Sequence, residues 1–306
     1  MSRAVVHETF GGPEVLELRE VPEPHAGPGQ VRVRVTAAGL NPMDWVLTST
    51  PPVAERFGLS LPAGFGTDFA GVVDEVGEGV AGFAVGDRVH GGATGRAVAD
   101  LVVVDPAAEW LFRTPEKVGD EVAATLSVAG LTAAAALAAI DLKEGDTVLV
   151  GGAAGGVGVL TVQLARRAGA RVIGTASEAT FGFLREFGVE PVTYGPGLAD
   201  RVRALAPEGV SAATDLFGTE TAEAALALGV PAARISTIAA GTDVPEGVRP
   251  TGGFQARPED LERITAAIAA GEITVPIAAT FPVERVREAV ELQAGRHVHG
   301  KVVVLL

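Results

Sequence analysis

The first third of the chain alternates short apolar runs with single glycines. Within residues 30–37, Val31, Val33 and Val35 alternate with charged or hydroxyl side chains, which is typical of a strand with one buried face. Up to Val89, further valine-containing runs are separated by glycines that predict turns. The pattern therefore predicts a compact β-rich domain.

From about Gly119 the pattern changes to helices that alternate with strands. The alternation predicts right-handed crossovers and a parallel, doubly wound sheet. The expected strands are 147–150, 171–175, 191–194, 213–217 and 234–239, and the expected helices are 121–140, 157–168, 200–205, 222–228 and 259–270, with one further helix through Phe183 and Leu184. A helix at 283–292 and a strand at 301–306 complete the chain. We place the domain boundaries near residues 118 and 271.

Residues 146–177 carry the sharpest local signal. A short apolar strand runs into Ala153-Ala154-Gly155-Gly156-Val157-Gly158 and then into a helix. This is the dinucleotide fingerprint G-x-G-x-x-G with Ala153 in place of its first glycine. Gly155 would let the backbone approach a pyrophosphate, and Gly158 would let the helix pack close to its strand. The helix N-terminus would offer its N–H groups to the phosphates.

The end of the second strand predicts which dinucleotide is bound. NAD enzymes usually place Asp or Glu about 20 residues after the fingerprint, where it accepts from the ribose 2′-hydroxyl. Here Ser177 occupies that place, and a hydroxyl can donate to a 2′-phosphate. Glu178 follows directly, and no Lys or Arg lies between Ser177 and Phe183. We therefore expect NADPH, with a modest preference over NADH.

Composition and charge narrow the class of protein. A formal net charge of −14 disfavours nucleic acid and anionic membranes, which both attract basic surfaces. The chain has no cysteine, which excludes thiolate catalysis and cysteine-containing zinc sites. The alanine-rich stretch 122–140 indicates a closely packed buried helix rather than a membrane span. With no signal-peptide pattern at its start, the chain is expected in the cytoplasm.

Six segments of the sequence together resemble one family. They are AAGLNPMDW at 37–45, GTDFAGVVDEVGEGVAGFAVGDRV at 66–89, AGLTA at 129–133, VLVGGAAGGVG at 148–158, GTAS at 174–177 and GKVVV at 300–304. In this order they resemble the zinc-free, zeta-crystallin-like quinone oxidoreductases of the medium-chain dehydrogenase/reductase superfamily. The resemblance implies an α/β protein. A GroES-like catalytic domain would comprise 1–118 with 272–306, and a Rossmann NADP-binding domain would comprise 119–271.

The resemblance also implies roles for single residues. Asn41 and Thr132 should lie near the nicotinamide and its ribose. Asn41 stands where zinc-dependent relatives carry a catalytic cysteine. The pyrophosphate would meet the loop of Ala154, Gly155, Gly156, Val157 and Gly158, and the 2′-phosphate would meet Ser177 and Tyr194. Phe217, Ile238 and Ala239 should border the adenosine or the nicotinamide ribose. Thr180 stands where relatives often carry a basic residue. The family commonly forms homodimers or tetramers, and we expect a homodimer here.

Other polar residues have competing interpretations. Asp44 follows Asn-Pro, so it either caps the next helix or holds a substrate oxygen or proton. We include Asp44 with Asn41 and Thr132 as a candidate catalytic residue. His90 is interpreted as a structural histidine. His297 and His299 are two imidazoles without a third ligand, so no metal site is predicted.

The function that the resemblance implies is reduction of quinones or α,β-unsaturated carbonyl compounds by hydride transfer from NADPH, without zinc. Asn41 or a main-chain N–H is the candidate donor to the oxygen that becomes negatively charged. An enoyl-thioester reductase of a biosynthetic pathway is one alternative, although no basic patch suits its carrier. A non-catalytic nucleotide-binding dimer is the other. Small-molecule acceptors, rather than nucleic acid or membrane, are the expected partners.

Overall fold

Different parts of the sequence build two units in the computed structural model, which describes residues 1–241, 243–296 and 298–306. The first unit comprises Met1–Val128, Glu262–Glu272 and Ile277–Leu306. The second comprises Ala129–Leu261 and Ile273–Pro276. The first unit therefore draws on both ends of the chain.

The described residues form the following strands and helices. The strands are β1 Ser2–His7, β2 Glu17–Val21, β3 Val31–Leu40, β4 Ala63–Gly64, β5 Asp68–Val76, β6 Arg88–Gly92, β7 Leu101–Val104, β8 Leu111–Arg113, β9 Thr147–Gly151, β10 Arg171–Ala176, β11 Glu190–Thr193, β12 Ala212–Asp215, β13 Ile235–Thr237, β14 Arg249–Pro250, β15 Ile277–Pro282 and β16 Lys301–Leu305. The α-helices are α1 Pro42–Ser49, α2 Pro51–Arg56, α3 Asp120–Ala123, α4 Leu126–Ala139, α5 Gly156–Arg167, α6 Phe181–Glu186, α7 Leu198–Leu205, α8 Glu220–Ala227, α9 Pro258–Ala269 and α10 Val286–Ala294.

The first unit is organised around strand β3. Its seven-stranded sheet has the order β15-β16-β3-β5-β6-β8, and β7 also pairs with β3. Val31, Val33 and Val35 point into one hydrophobic cluster, so the strand predicted from their alternation is confirmed. A smaller sheet of order β2-β1-β4 lies in the same unit. The unit is β-rich, as the glycine-separated valine runs predicted.

The second unit contains a six-stranded parallel sheet of order β11-β10-β9-β12-β13-β14. Alternate side chains of its strands enter two different cores, as strand geometry requires. Val148 and Val150 belong to one cluster, whereas Leu149 and Ile173 belong to the other. The order reverses between β9 and β12, which is the switch point where such sheets bind ligands. The predicted doubly wound fold is confirmed.

The single helix predicted for 121–140 is wrong, because the structure has two helices there. Helix α3 ends at Ala123 and α4 begins at Leu126. Between them, the Ala124 carbonyl lies so close to Gly39 of β3 that any side chain at Gly39 would overlap it. The new helix starts where Asp68 accepts a hydrogen bond from the Val128 N–H at 2.9 Å, which satisfies one of the first-turn donors.

Smaller differences concern the ends of elements. Tyr194, Phe217 and Ala239 follow the strands in which we expected them. The last predicted helix begins with a 3-10 turn at Val283–Arg285 and continues as α10. His297 lies outside the described residues. Within the described ranges, no helix is long and apolar enough to cross a membrane.

His90 is a structural histidine of the first unit. It is fully buried, Nδ1 lies 3.0 Å from the Thr114 hydroxyl and Nε2 lies 3.5 Å from the Thr265 hydroxyl. Its ring stacks on Phe112 with centroids 5.7 Å apart. Burial lowers the pKa of His90 from 6.5 to about 4, because the low-dielectric interior disfavours the imidazolium.

This pKa predicts a stability change at mildly acidic pH. The unfolded chain takes up a proton at His90 below pH 6.5, whereas the folded chain does so only near pH 4. His90 should therefore contribute a fall of on the order of 2 kcal/mol to the free energy of unfolding between pH 7 and pH 5, whereas the raised pKa values of the buried Asp44 and Asp68 contribute in the opposite direction. Urea unfolding can be followed by the fluorescence of Trp45 and Trp110, which both belong to the first unit. His90→Phe should lose this part of the pH dependence, and an unchanged dependence would contradict the prediction.

Candidate active site

The turn between β9 and α5 has the shape of a dinucleotide loop. Gly152 takes the left-handed φ of +65° directly after the strand, a conformation that favours glycine. Gly155 then precedes the helix with an extended φ of −74° and ψ of 175°. The first-turn N–H groups of α5 begin at Gly156 and lack partners within the helix. The predicted loop of Ala154 to Gly158 is therefore placed at the sheet edge where parallel strands end.

Two glycines of this loop differ in their surroundings. A Cβ at Gly158 would lie 2.6 Å from the Ala153 carbonyl carbon, so no side chain fits between the helix and the turn. A Cβ at Gly155 would meet only the Gly152 oxygen, at 3.4 Å. Gly158 is required for packing, whereas Gly155 leaves open space over the backbone. This is the division of roles that a bound pyrophosphate requires.

Ala153 replaces the first glycine of the fingerprint without a clash. Its side chain is completely buried, and a Cβ at Gly174 of β10 would lie only 2.7 Å from its Cβ. The glycine in the neighbouring strand therefore provides the space that the alanine methyl occupies. Because Gly152 already makes the tight turn, the departure from the fingerprint leaves the loop intact.

At the same sheet edge, the N–H groups at the start of a second helix, α8, are already bound by a carboxylate of the protein. The buried carboxylate of Asp215, at the end of β12, accepts hydrogen bonds from four backbone N–H groups at the start of α8 and just before it, those of Phe217, Gly218, Thr221 and Ala222. Helix α5 has no acidic residue in its first turn. An external anion is therefore drawn to α5, where the positive end of the helix dipole is not compensated.

Ser177 and Tyr194 follow two neighbouring strands at equivalent places. Ala176 of β10 pairs with Thr193 of β11 in the parallel register, so the next residue of each strand leaves the sheet at the same edge. Both residues are exposed. The Ser177 hydroxyl lies 2.8 Å from that of Thr180, and Thr180 is itself buried. The two hydroxyls predicted to bind a 2′-phosphate therefore end adjacent strands.

The sequence argument missed a cation at this edge. Arg201 of α7 reaches back to the loop after β11, and its guanidinium donates to the backbone oxygens of Thr193, Tyr194, Gly195 and Pro196. It thus brings a positive charge next to Tyr194. The carboxylate of Glu220 is also present, since it accepts from the Gly195 N–H at 2.6 Å. Only the fold, which places α7 after β11, connects Arg201 with this loop.

Four other residues expected at the cofactor, namely Phe217, Ile238, Ala239 and Thr132, lie in the second unit as well. Phe217 follows β12 and is 57% exposed. Ile238 and Ala239 follow β13, where the Ile238 N–H donates to the Asp215 carbonyl at 3.1 Å. Thr132 lies in α4 with 7% exposure, and a Cβ at Gly253 would lie 3.2 Å from its hydroxyl. Phe217, Ile238 and Ala239 are thus on the same sheet edge as the glycine loop.

In the first unit, Asn41 joins a buried lysine to a buried aspartate. Lys301 Nζ donates to Asn41 Oδ1 at 2.5 Å, and Asn41 Nδ2 donates to Asp68 Oδ2 at 2.9 Å. The lysine can only donate and a carboxylate can only accept, so the orientation of the amide between them is determined. One Nδ2 hydrogen of Asn41 is left for another acceptor.

Asp44 caps α1 and also contacts Thr67. Its Oδ2 accepts from the Asn41 N–H at 2.7 Å, which confirms the capping interpretation. Its Oδ1 accepts from the Thr67 hydroxyl at 2.8 Å. Asn41 and Asp44, two of the predicted catalytic residues, are thus brought together, whereas Thr132 belongs to the other unit.

Burial changes the acidity of this cluster. Asp44, Asp68 and Lys301 are between 0% and 4% exposed. Loss of solvation raises the pKa of Asp44 to about 7 and that of Asp68 to about 6, because it disfavours the carboxylate. It also lowers the pKa of Lys301. We define Asn41, Asp44, Thr67, Asp68 and Lys301 as the polar cluster.

The lysine of the polar cluster was missed as a functional residue. Lys301 opens an apolar run in which Val302, Val303 and Val304 are all buried. A charged side chain at the start of a strand that is buried on both faces is the signal that could have found it. Across residues 1–241, 243–296 and 298–306, no group of three His, Cys, Asp or Glu side chains could hold a metal ion.

These features define a dinucleotide-binding α/β unit in the same chain as a β-rich unit with a buried polar cluster. Comparison with protein families agrees with both parts. The alcohol dehydrogenase GroES-like domain matches residues 27–100, and the zinc-binding dehydrogenase family matches residues 187–304.

Similar proteins cover the whole chain. A quinone oxidoreductase of Pseudomonas aeruginosa is 32% identical, with 100% of each chain covered. A mycobacterial protein solved in complex with NADPH is 29% identical, covers 100% of both chains and has a TM-score of 0.87. The CurK enoyl reductase is 25% identical over 99% of each chain, also with a TM-score of 0.87. The chain belongs to the quinone oxidoreductase branch of the medium-chain dehydrogenase/reductase superfamily, a group of oxidoreductases.

The two glycines of the loop provide a matched pair of substitutions. Gly155→Val should fold normally but weaken dinucleotide binding at least about tenfold, because its side chain fills the space above the loop. Gly158→Val should instead destabilise the protein by about 2 kcal/mol or more, because the added side chain overlaps the turn. Thermal unfolding and fluorescence titration with the dinucleotide separate the two effects. Unchanged affinity in folded Gly155→Val would show that the loop is not the cradle.

Proposed function

We propose that the protein is an NADPH-dependent reductase of quinones or α,β-unsaturated carbonyl compounds that works without zinc. The observation that carries the proposal is the α5 loop, where open space over Gly155 meets a helix N-terminus whose first turn contains no acidic residue. Membership in the quinone oxidoreductase branch supports the substrate class. The mycobacterial relative in complex with NADPH supports the cofactor.

The second unit has a suitable set of groups for NADPH. The amides of Gly156 and Val157 would hold the pyrophosphate at the start of α5. Ser177 and Tyr194 would donate to the 2′-phosphate, and Arg201 would add positive charge beside Tyr194. Phe217, with its exposed ring, would pack on the adenosine. No carboxylate occupies the place of Ser177, so the 2′-phosphate meets no repulsion at that position.

The residues of the first unit orient the acceptor and stabilise charge. When bound, NADPH supplies a hydride to an electron-poor acceptor. The oxygen of that acceptor then becomes negatively charged. The free Nδ2 hydrogen of Asn41 is the donor we propose for this oxygen, because Lys301 and Asp68 hold the amide in one orientation. A donor oriented before the reaction loses no energy in reorganising.

Zinc independence is part of the proposal. The chain has no cysteine, and the Asn41 oxygen is already bound to the Lys301 ammonium. A zinc ion at this place would have to displace a cation that the protein itself provides. The cluster therefore favours chemistry in which positive charge comes from a side chain.

Enoyl-thioester reduction is the second candidate, and one comparison favours it. The CurK enoyl reductase matches 99% of the chain at 25% identity. Its reaction would use the same hydride donor and the same oxygen donor in the protein. A thioester carrier would however add phosphate charge to a chain of net charge −14, so we place free quinones and enones first. A nucleotide-binding protein without catalysis is the alternative that a lack of turnover would favour.

Steady-state assays test the proposed reaction. Purified protein should oxidise NADPH with a simple quinone and with an enone, and elemental analysis should find no stoichiometric zinc. Treatment with a chelator should leave both rates unchanged. Stoichiometric zinc together with loss of activity on chelation would refute zinc independence. Absence of turnover with every acceptor would refute the reductase.

Cofactor preference is tested separately by binding. NADPH should bind more tightly than NADH by on the order of tenfold, because the 2′-phosphate gains hydrogen bonds from two hydroxyls. Ser177→Asp should weaken NADPH binding by charge repulsion and spare NADH. Fluorescence quenching by each reduced cofactor measures both affinities, and Ser177→Ala is the control that removes the hydroxyl without adding charge. Equal or tighter binding of NADH by the unmodified protein would contradict the assignment.

A further inference from the structure

The polar cluster is buried except at one residue. Asn41, Asp44, Asp68 and Lys301 are at most 4% exposed, whereas Thr67 is half-buried. The Thr67 hydroxyl donates to Asp44 at 2.8 Å. Thr67 is therefore the member of the cluster through which Asp44 can exchange a proton with a bound molecule.

The surroundings of Thr67 include a polar group that needs a partner. A Cβ at Gly92 would have three neighbours at ordinary contact distance, namely Trp110, Ser127 and Thr67 at 3.7, 3.8 and 3.9 Å. Ser127 is 2% exposed, and nothing in the described part of the chain offers its hydroxyl a hydrogen bond. A buried donor without a partner costs free energy. The Thr67 side of the cluster is thus suited to a polar atom of a ligand.

Asp44 also borders a small cavity. The lining side chains are mostly apolar, with a histidine and one further threonine among them: His7, Asp44, Leu47, Thr48, Leu59 and Phe65. The His7 Nδ1 lies 3.1 Å from the Thr9 carbonyl. Asp44 therefore contacts both this cavity and the Thr67 hydroxyl.

We propose that Asp44 and Thr67 form a proton relay that completes the reduction, with Thr67 delivering the proton and the cavity beside His7 resupplying Asp44. The proposal rests on the reductase function proposed above and names the source of its final proton. Thr67 is the residue that touches the acceptor, and Asp44 acts through it. The cap that Asp44 makes on α1 holds its carboxyl in place for this transfer.

The step balances as follows. Hydride addition to an enone leaves an enolate, whose electron pair forms a new C–H bond with the proton of the Thr67 hydroxyl. When Asp44 is protonated, the hydrogen bond between the two side chains is reversed: Asp44 Oδ1–H donates to the Thr67 oxygen, and the Thr67 hydrogen turns to the enolate. The Thr67 oxygen therefore takes the carboxyl proton of Asp44 as it gives up its own, so threonine is unchanged and Asp44 becomes a carboxylate. A proton from water then reaches Asp44 through the cavity. No further oxidant or reductant is needed.

The charged groups around Asp44 are consistent with an acid that works near neutral pH. Asp68 raises its pKa and Lys301 lowers it, but burial is the largest influence. His7 lines the same cavity. Because the protonated form is the active one, kcat for enones should fall as the pH rises through about 7.

Asp44→Asn is the first test, since its amide oxygen can still accept from the Asn41 N–H and keep the cap. The variant should lose about 100-fold in kcat for enones and lose the decline above neutral pH. It should change the kcat for quinones little, because the reduced quinone takes its proton on oxygen, which water protonates rapidly. An unchanged pH profile for enones would overturn the proposal.

Thr67 variants keep the proposal testable if Asp44→Asn does not fold. Thr67→Val should lose enone turnover like Asp44→Asn, and Thr67→Ser should restore it because the hydroxyl returns. Thr125→Val is the matched control, since the buried Thr125 hydroxyl bonds only the Val122 carbonyl at 2.7 Å. Full enone activity in Thr67→Val would overturn the relay.

A measurement without cofactor or acceptor separates this proposal from the proposed function. Infrared difference spectra of the protein alone should show a carboxyl band that titrates near neutral pH and is absent in Asp44→Asn. If no acceptor is turned over, the proposed reductase function is refuted, and the infrared band still shows whether Asp44 is protonated near neutral pH. If enones are turned over but no such band exists, the relay fails and the reductase stands.

Discussion

The Lys301 ammonium lies inside the protein, and a charge in that place is tolerated only when polar groups surround it. Asn41 accepts its hydrogen bond and donates another to Asp68, which in turn accepts from the Val128 N–H. This chain of contacts connects the C-terminal strand β16 with the end of β3, the start of β5 and the first turn of α4. Replacing any one of the three side chains removes at least one hydrogen bond from a buried neighbour, so the cluster constrains how these four elements meet.

A different electrostatic constraint organises the second unit. Several helices begin at the carboxyl edge of its parallel sheet, and among them α5 and α8 each present a positive N-terminus. The protein supplies its own carboxylate, Asp215, to one of them. At the other, α5, the place of a carboxylate is taken by glycine and valine. The Asp215 carboxylate thus occupies the N-terminus of α8, and the N-terminus of α5 is left for an external anion. No lysine or arginine in the first turn of α5 is needed for this preference.

Periodicity and turn chemistry predicted most of the fold, because β3 and the strands of the parallel sheet bury residues at regular intervals. The break between α3 and α4 could not be predicted, since it depends on Gly39 and Asp68, which are distant in sequence. The same difference between local patterns and distant contacts explains which residues of the candidate site could be predicted. The glycine loop is local and was found, and Ser177 follows it at a fixed spacing. Lys301 contacts a residue that is distant in sequence, so its spacing carried no signal of its partner. Arg201 is close to its partners in sequence, but only the turn between β11 and α7 directs its side chain back to their backbone oxygens.

Asp44 shows how a structural and a chemical role can share one side chain. A capping carboxylate is normally exposed, and its helix-start donors lower its pKa. Here the same hydrogen bond from Asn41 is present, yet burial outweighs it and the carboxyl holds its proton near neutral pH. The cap fixes one oxygen and leaves the other to Thr67. A rigid acid with one free direction of transfer is what general acid catalysis requires, and it arises at this position because the start of α1 is buried beside the polar cluster.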